Sequence, residues 1–317
     1  MVNVVFYGTP DFAVPALTRL LDSPHRVAAV VTQPDRGRGR GQRVSESPVK
    51  RTATARGARV LQPERLGDGA FFATLSALEP DLAVVAAYGR MLPDAVLAAP
   101  RLRTINIHPS LLPKYRGAAP VQRAIIAGET ETGVTIMRLV REMDAGPTFA
   151  RRTRPIAPDE TSDVVEADLA RLGADLVLEV IGALEAGTAT ERAQDHAAAT
   201  LAPRLSREDG RIDWRAPAVA IHNRVRGLHP WPHASAVLDG ARYLIHRTAV
   251  AALSGPDAPE PGTLVEASGD RLLVATGHGG ALAILEIQPE GRRRIGARAF
   301  LAGRRWSPGR RFDTVSA

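Results

Sequence analysis

No cysteine occurs among the 317 residues of this chain. That absence excludes disulfides, thiolate metal sites and cysteine nucleophiles, and it fits a reducing compartment. Lysine is almost missing as well: of 41 basic residues only Lys50 and Lys114 are lysine. A GC-rich coding sequence accounts for that choice of arginine. No uninterrupted apolar run approaches the roughly 18 residues that a membrane span needs. The first apolar run, Val2–Tyr7, has no basic lead-in or cleavage site ahead of it. Neither a membrane helix nor a signal peptide is expected, and the expected location is the cytoplasm. A G-x-G-x-x-G after the first run is also lacking, since Gly8-Thr-Pro-Asp11 is a different kind of turn. A dinucleotide site, and with it a nicotinamide oxidoreductase, is therefore unsupported.

What is present suggests two domains, because the chain is too long for one of typical size. Residues 201–317 hold 17 arginines against 11 acids, whereas residues 1–200 hold 24 basic against 23 acidic residues; together these make the 41 and 34 of the whole chain. The net charge of +7 thus resides almost wholly in the C-terminal part, as expected if that part meets a polyanion.

The first part alternates strand and helix. Apolar runs at Val2–Tyr7, Val27–Thr32, Ala58–Leu61, Leu82–Ala87 and Thr104–Ile107 are separated by helical stretches near Phe12–Leu21, Pro48–Arg56 and Phe71–Leu78. Continuous apolar strands between helices predict a parallel sheet covered on both faces, a Rossmann-like doubly wound α/β domain. In Thr161–Ala186, Val165, Leu169, Leu172, Leu176, Val180 and Leu184 repeat at spacings of three and four before Gly187, which predicts a long helix closing that domain. Residues 188–203 show little periodicity and read as a linker. From there the runs become short: Ala234–Leu238, Tyr243–Val250, Gly262–Glu266, Arg271–Ala275 and Ala281–Gln288, parted by glycine-containing turns. That pattern predicts a small β-barrel. The domains are drawn as 1–187, linker 188–203, and 204–317.

The chemistry concentrates where the run Leu102–Ile107 ends. Asn106 and His108 are two residues apart, so on a strand they share one face. An amide there can hold a developing oxyanion and an imidazole can move protons, which suggests acyl or one-carbon transfer. Alone, each would be a turn former or an ordinary core histidine. They gain weight from Ser110-Leu-Leu-Pro113 and Tyr115-Arg-Gly-Ala-Ala-Pro120 beside them.

The stretch Asn106–Pro120 is similar to the active-site loop of the folate-dependent formyltransferases. A second stretch, Gly133–Gly146, reads as a strand running into Met143-Asp144-Ala-Gly146. The family places an aspartate at such a turn, and Asp144 is the matching residue. The order Asn, His, Asp across two strand ends is specific in a way that none of the three is singly. Arg211-Ile-Asp-Trp214 and His229-Pro-Trp231-Pro232 carry the resemblance, more loosely, into the C-terminal part, where the family has an OB-like domain. The resemblance implies 10-formyltetrahydrofolate as co-substrate, no metal, and Asn106, His108 and Asp144 as catalytic residues. Ser110, Leu111, Leu112 and Pro113 match the family's folate-contacting segment. The turn Tyr88-Gly89-Arg90-Met91-Leu92 follows a strand at the same sheet edge and is expected to help wall the pterin pocket.

The acceptor side is basic. Arg36, Arg38, Arg40 and Arg43 punctuate a glycine-rich loop, 33–47, that reads as mobile. The tRNA-formylating branch of the family carries a basic insertion here with a Gly-Arg-Gly like Gly39-Arg40-Gly41, which singles out Arg40 for the acceptor end of the RNA. Arg292, Arg293 and Arg294, with Arg298, Arg304, Arg305, Arg310 and Arg311, form a second patch. The resemblance thus implies initiator methionyl-tRNA as the partner, met by a monomer. Formyltransferases acting on phosphoribosylglycinamide or an amino sugar nucleotide would share the Asn, His and Asp, but loop 33–47 and the basic second domain set this chain apart. A non-catalytic tRNA-binding protein would have no reason to keep all three polar residues. One departure is Pro109, where the tRNA-formylating members often carry a small residue; it fixes the backbone just after His108.

Overall fold

Buried apolar strands separated by short helices build the first unit, in the order the hydrophobic runs predict. β1 (Asn3–Gly8) and β2 (Arg26–Val31) flank α1 (Val14–Leu21), and β3 (Arg36–Arg38) and β4 (Arg43–Ser45) follow. Then come α2 (Pro48–Ala55), β5 (Val60–Leu61), α3 (Gly69–Ser76), β6 (Leu82–Ala86), α4 (Asp94–Ala98) and β7 (Thr104–His108). The succession ends with β8 (Arg116–Gly117), α5 (Pro120–Ile126), which from Val121 on falls in the second unit, β9 (Glu131–Arg138), β10 (Thr148–Pro155), α6 (Ser162–Glu185), which joins the first unit from Glu166, and β11 (Leu201–Ala202). The computed structural model describes residues 1–38, 43–253, 259–303 and 306–313.

The sheet has seven strands in the order β10-β9-β7-β6-β1-β2-β5. On one face Val5, Tyr7, Ala83 and Val85 meet Phe71 and Leu75 of α3 and Val96 of α4. The period of two along β1 and β6 is what sends these residues to a common side. On the other face, α6 packs closely where Gly173 lies against β7: a Cβ there would stand 2.5 Å from Ile107 Cγ2 and 3.1 Å from Val134 Cγ2. Ile105 and Ile107 are buried. With Ile107 turned toward α6, alternation turns Asn106 and His108 to the opposite face.

Three features differ from the expectation. The sheet is not wholly parallel: β9 runs antiparallel to β7 and to β10. Loop 33–47 contains a hairpin, with Arg36 opposite Ser45 and Arg38 opposite Arg43. Its root is held by Asp35, which pairs with Lys50 Nζ and accepts from Gln62 Nε2 at 2.9 Å. Those bonds, Lys50 first, hold the Asp35 carboxyl below its ordinary pKa. The segment read as a linker is ordered against the first unit as far as residue 202. Arg192 bridges Thr148 in both directions, and Leu201–Ala202 pairs with Arg116–Gly117.

The second unit comprises Val121–Thr130, Ile156–Val165 and the chain from Pro203 onward. Beyond α7 (Ala218–Gly227) it contains β12 (Ala234–Leu238), β13 (Ala241–Ala252), β14 (Leu264–Ser268), β15 (Arg271–Ala275), β16 (Gly280–Pro289), β17 (Ile295–Gly296) and α8 (Ala297–Ala302). The antiparallel order is β12-β13-β16-β15-β14, with β17 on β16. Its two edges are joined by the last described residues, since Phe312 bridges Leu238 of β12 while Arg311 bridges Thr263 beside β14. The expected small barrel is therefore closed by a segment without strand character in the sequence. Trp214 is fully buried and stacks on Phe312, ring centroids 5.1 Å apart.

Candidate active site

His108 is 4% exposed and ends β7. Its Nε2 lies 3.1 Å from Tyr115 O. A carbonyl only accepts, so Nε2 carries the hydrogen in that contact. Its Nδ1 faces Asp144 Oδ2 at 3.7 Å, ion-pair range but beyond a hydrogen bond. Asp144 is 13% exposed at the side chain and sits in the left-handed region, φ 50°. The same Oδ2 accepts from Gly117 N at 2.9 Å. Gly117 has φ 127°, and a Cβ there would stand 2.6 Å from Ala202 O, so a residue with a side chain could not present this amide. Asn106 is half-buried, and its side-chain amide makes no hydrogen bond to a described residue. Donor and acceptor are thus both open to a ligand.

The direction of β9 explains how Asp144 arrives. Antiparallel pairing sets His108 opposite Thr135 and Ile105 opposite Arg138, so β9 ends beside the start of β7, where Leu139 N donates to Thr104 O at 2.8 Å. Residues 139–146 must then fold back along the sheet to bring a carboxylate to the imidazole. Asp144 reaches the site from that excursion, not from the end of a parallel strand.

The expected folate segment divides. Ser110 is fully buried and its Oγ donates to Lys114 O at 2.6 Å, so the hydroxyl shapes the turn. Leu112 is fully buried, and the Leu112–Pro113 peptide is cis. Leu111 and Pro113 remain half-buried. Thr135, which the sequence reading passed over, pins this turn: its buried Oγ1 donates to Ser110 O at 2.7 Å and accepts from Leu112 N at 3.2 Å. In the Tyr88–Leu92 turn, Tyr88 is a core residue edge-on to Tyr7, centroids 5.5 Å apart, and Leu92 is buried in the same cluster. Neither tyrosine hydroxyl has a partner among the described residues, and burial, then the neighbouring Tyr88, pushes the Tyr7 phenol well above its usual pKa. Tyr88 O accepts from Thr9 Oγ1 and from Gln33 Nε2, and Gly89 has φ 81°. Arg90 donates to Pro63 O and Glu64 O, while Met91 is 65% exposed.

Among the basic residues, Arg36 is exposed on β3, Arg38 and Arg43 lie on the two hairpin strands, and Arg40 falls outside the described residues, as do Arg304 and Arg305. Arg292, Arg293 and Arg294 are exposed in the second unit, and Arg294 pairs with Glu286. No group of three or more His, Cys, Asp or Glu suited to a metal occurs among the described residues. No described helix is long and apolar enough to cross a membrane.

The first unit thus sets His108 beside Asp144, with the Asn106 amide two residues back on the same strand face, and comparison with known proteins gives the family. The formyl transferase family matches residues 2–181, and the formyl transferase C-terminal domain matches residues 204–305; the chain belongs to the formyl transferase family. Among its relatives, one from Acidobacterium capsulatum named methionyl-tRNA formyltransferase is 46% identical, over 97% of this chain and 98% of its own. Another of that name, from Roseiflexus sp., is 46% identical over 100% of this chain and 97% of its own. Of solved structures, the sugar 3N-formyl transferase WlaRD superposes with a TM-score of 0.68 at 16% identity, covering 92% of this chain and 99% of that one. HypX from Aquifex aeolicus in complex with tetrahydrofolic acid gives 0.62 at 20%, covering 95% of this chain and 47% of that one. At such identities these two show the fold alone.

Proposed function

We propose that this chain transfers the formyl group of 10-formyltetrahydrofolate to the free amino group of initiator methionyl-tRNA, giving N-formylmethionyl-tRNA. The observation that carries the reading is the approach of His108 to Asp144 beside an unpartnered Asn106 amide, in a chain similar from end to end to methionyl-tRNA formyltransferases. The donor set suits a formyl carbonyl: a free amide N–H for its oxygen, and an imidazole for the amine that adds to its carbon. As the amine adds, charge grows on the carbonyl oxygen, and the Asn106 side chain stabilises it; one such donor is typically worth about 10²–10³ in rate. His108 moves the proton that the amine nitrogen loses toward the folate nitrogen, whose bond to the formyl carbon then breaks to release tetrahydrofolate, help worth roughly 10²–10⁴. Asp144 orients the ring. Leu111, Pro113, Arg90 and the exposed Met91 are the side chains of the two expected folate segments with surface left for the pterin, beside the exposed Gly89, while the buried Ser110, Leu112, Tyr88 and Leu92 shape the walls.

Residues 1–187 serve as the catalytic domain and 204–317 as the tRNA-binding domain. Arg36, Arg38, Arg40 and Arg43 meet the acceptor end, and Arg292–Arg294 the RNA backbone. The enzyme works as a cytoplasmic monomer. The test is an assay of 10-formyltetrahydrofolate with methionine-charged initiator tRNA, run beside charged elongator tRNA and free small amines. Selective formylation of the initiator is expected. Equal or faster formylation of a small amine would overturn the acceptor assignment.

A further inference from the structure

Gln194 lies in the segment read as a linker, yet it is 5% exposed and all its polar capacity is used inside the first unit. Its Nε2 donates to Asp144 O at 2.8 Å and to Gly146 O at 2.7 Å. Its Oε1 accepts from Arg116 Nη2 at 2.7 Å and from Nε at 3.2 Å. Arg116 sits between the two residues that hold the catalytic pair, since Tyr115 O contacts His108 and Gly117 N contacts Asp144. One buried amide therefore ties the rim carrying the carboxylate to the rim that receives it.

The need for such a tie follows from the chain path. Residues 139–146 leave the end of β9 without regular structure and must fold back to reach His108. A left-handed φ at a residue other than glycine, as at Asp144, carries a cost that its surroundings must offset. On either side of Gln194 the chain is anchored, by the Arg192–Thr148 bridge before it and the pairing of Leu201–Ala202 with Arg116–Gly117 after it. The strap from 192 to 202 is thus fixed at both ends with its amide at the Asp144 turn.

We propose that Gln194 is a positioning residue: its side chain clips the Asp144 turn to Arg116 and so sets the carboxylate against the His108 imidazole. The proposal rests on the catalytic role given above to Asp144. It predicts that Gln194→Met, which keeps the shape and loses every bond, lowers kcat by about tenfold to a hundredfold, the scale of a misplacement near 1 Å. KM for either substrate should stay within about twofold, while the melting temperature falls by a few degrees because Gly146 O is left buried without its donor. Gln194→Glu keeps the acceptor for Arg116 but loses both donors when ionised. The Arg116 guanidinium that it faces favours the ionised form, so the donors stay lost at neutral pH. Gln194→Glu should therefore lose kcat as Gln194→Met does, from about pH 8 to about pH 6, although its tie to Arg116 survives.

The experiment is steady-state kinetics of the full chain with both substrates across that range, with Asp144→Asn and the double variant Asp144→Asn/Gln194→Met alongside. If the clip acts through the carboxylate, the double variant is no slower than Asp144→Asn by more than about twofold. Multiplying losses, a loss confined to KM, or full kcat in Gln194→Met would each overturn the proposal. Full activity in Asp144→Asn would instead sink the role of the aspartate on which it rests. Should Gln194→Met fail to fold, the kcat of Gln194→Glu decides alone, and full kcat there overturns the proposal.

Discussion

Ion pairs run over both units, and the two differ in which polar groups are left over. In the first, Asn106, His108 and Asp144 are brought to one patch of sheet, and the Asn106 amide is left without a partner among the described residues. In the second, part of the arginine excess is taken up by acids: Arg123 with Asp209, Arg215 with Asp213, Arg271 with Glu266, Arg294 with Glu286, Arg310 with Asp239, and Arg311 with Glu260. Asp209 shows the consequence, for burial works against its charge and the bonds from Arg123 and Ser206 still bring its pKa below the ordinary value. Of the patch near 292–298, Arg292, Arg293 and Arg298 form no ion pair with a described residue. A surplus of arginine counted along a sequence is therefore not a map of a binding surface. What remains for a polyanion is the part that folding has not neutralised.

The contrast can be broken most sharply at the second unit's core. Trp214→Ala should cost about 3–5 kcal/mol, measured by denaturant unfolding, because it opens a cavity beneath Phe312 at the closing seam. A loss under about 1 kcal/mol would mean that the barrel does not depend on that stack. In the first unit the change should appear chiefly in rate. Asn106→Ala and His108→Ala should each lower turnover by about a hundredfold or more while the fold survives; near-normal turnover in either purified variant would refute the site. Smaller still is the effect at the arginines. Arg292→Ala and Arg293→Ala should each reduce the log–log salt slope of tRNA binding by about one and leave folate affinity alone. Arg294→Ala, already paired with Glu286, should reduce it less. Equal effects at all three would show that the ion pair does not withdraw a charge from the RNA.

The mildest effect concerns pH. Burial, then His246, His229 and Arg294, push the His233 imidazole down to about 4. The unfolded chain takes up that proton near 6.5, so stability contributed by neutral His233 is complete above about 6.5 and is lost as pH falls toward 4. The melting temperature should drop across that window. His233→Asn, which tolerates the φ of 66° there, should flatten the drop. The groups facing the ring are His229 and His246, at 5.5 and 4.4 Å between centroids, with Arg294 nearby.

Residue by residue, legibility followed periodicity. The two-residue spacing of Asn106 and His108 puts both on one strand face whatever the sheet, and the three-and-four spacing from Val165 to Leu184 marks α6 within a residue or two at each end. Asp144 was reached through a family resemblance, because a loop that folds back has no period. The reversed β9 was hidden since a strand buried on both faces reads alike in either direction. Gln194 and Thr135 left no mark at all. Each is a single polar residue whose partners are backbone groups brought near only by tertiary folding. Barrel closure by Arg311 and Phe312 was invisible for the same reason.

The interleaving of the two units along the chain bears on how the molecule can be taken apart. His222 contacts Pro158 O, Arg226 donates to Ala157 O and Glu160 O, and Arg123 holds Asp209, all within the second unit. Scission of the backbone near residue 203 would therefore not release that unit whole. The liberated fragment would leave behind two pieces of its own fold, and any attempt to express it from residue 204 begins from an incomplete body.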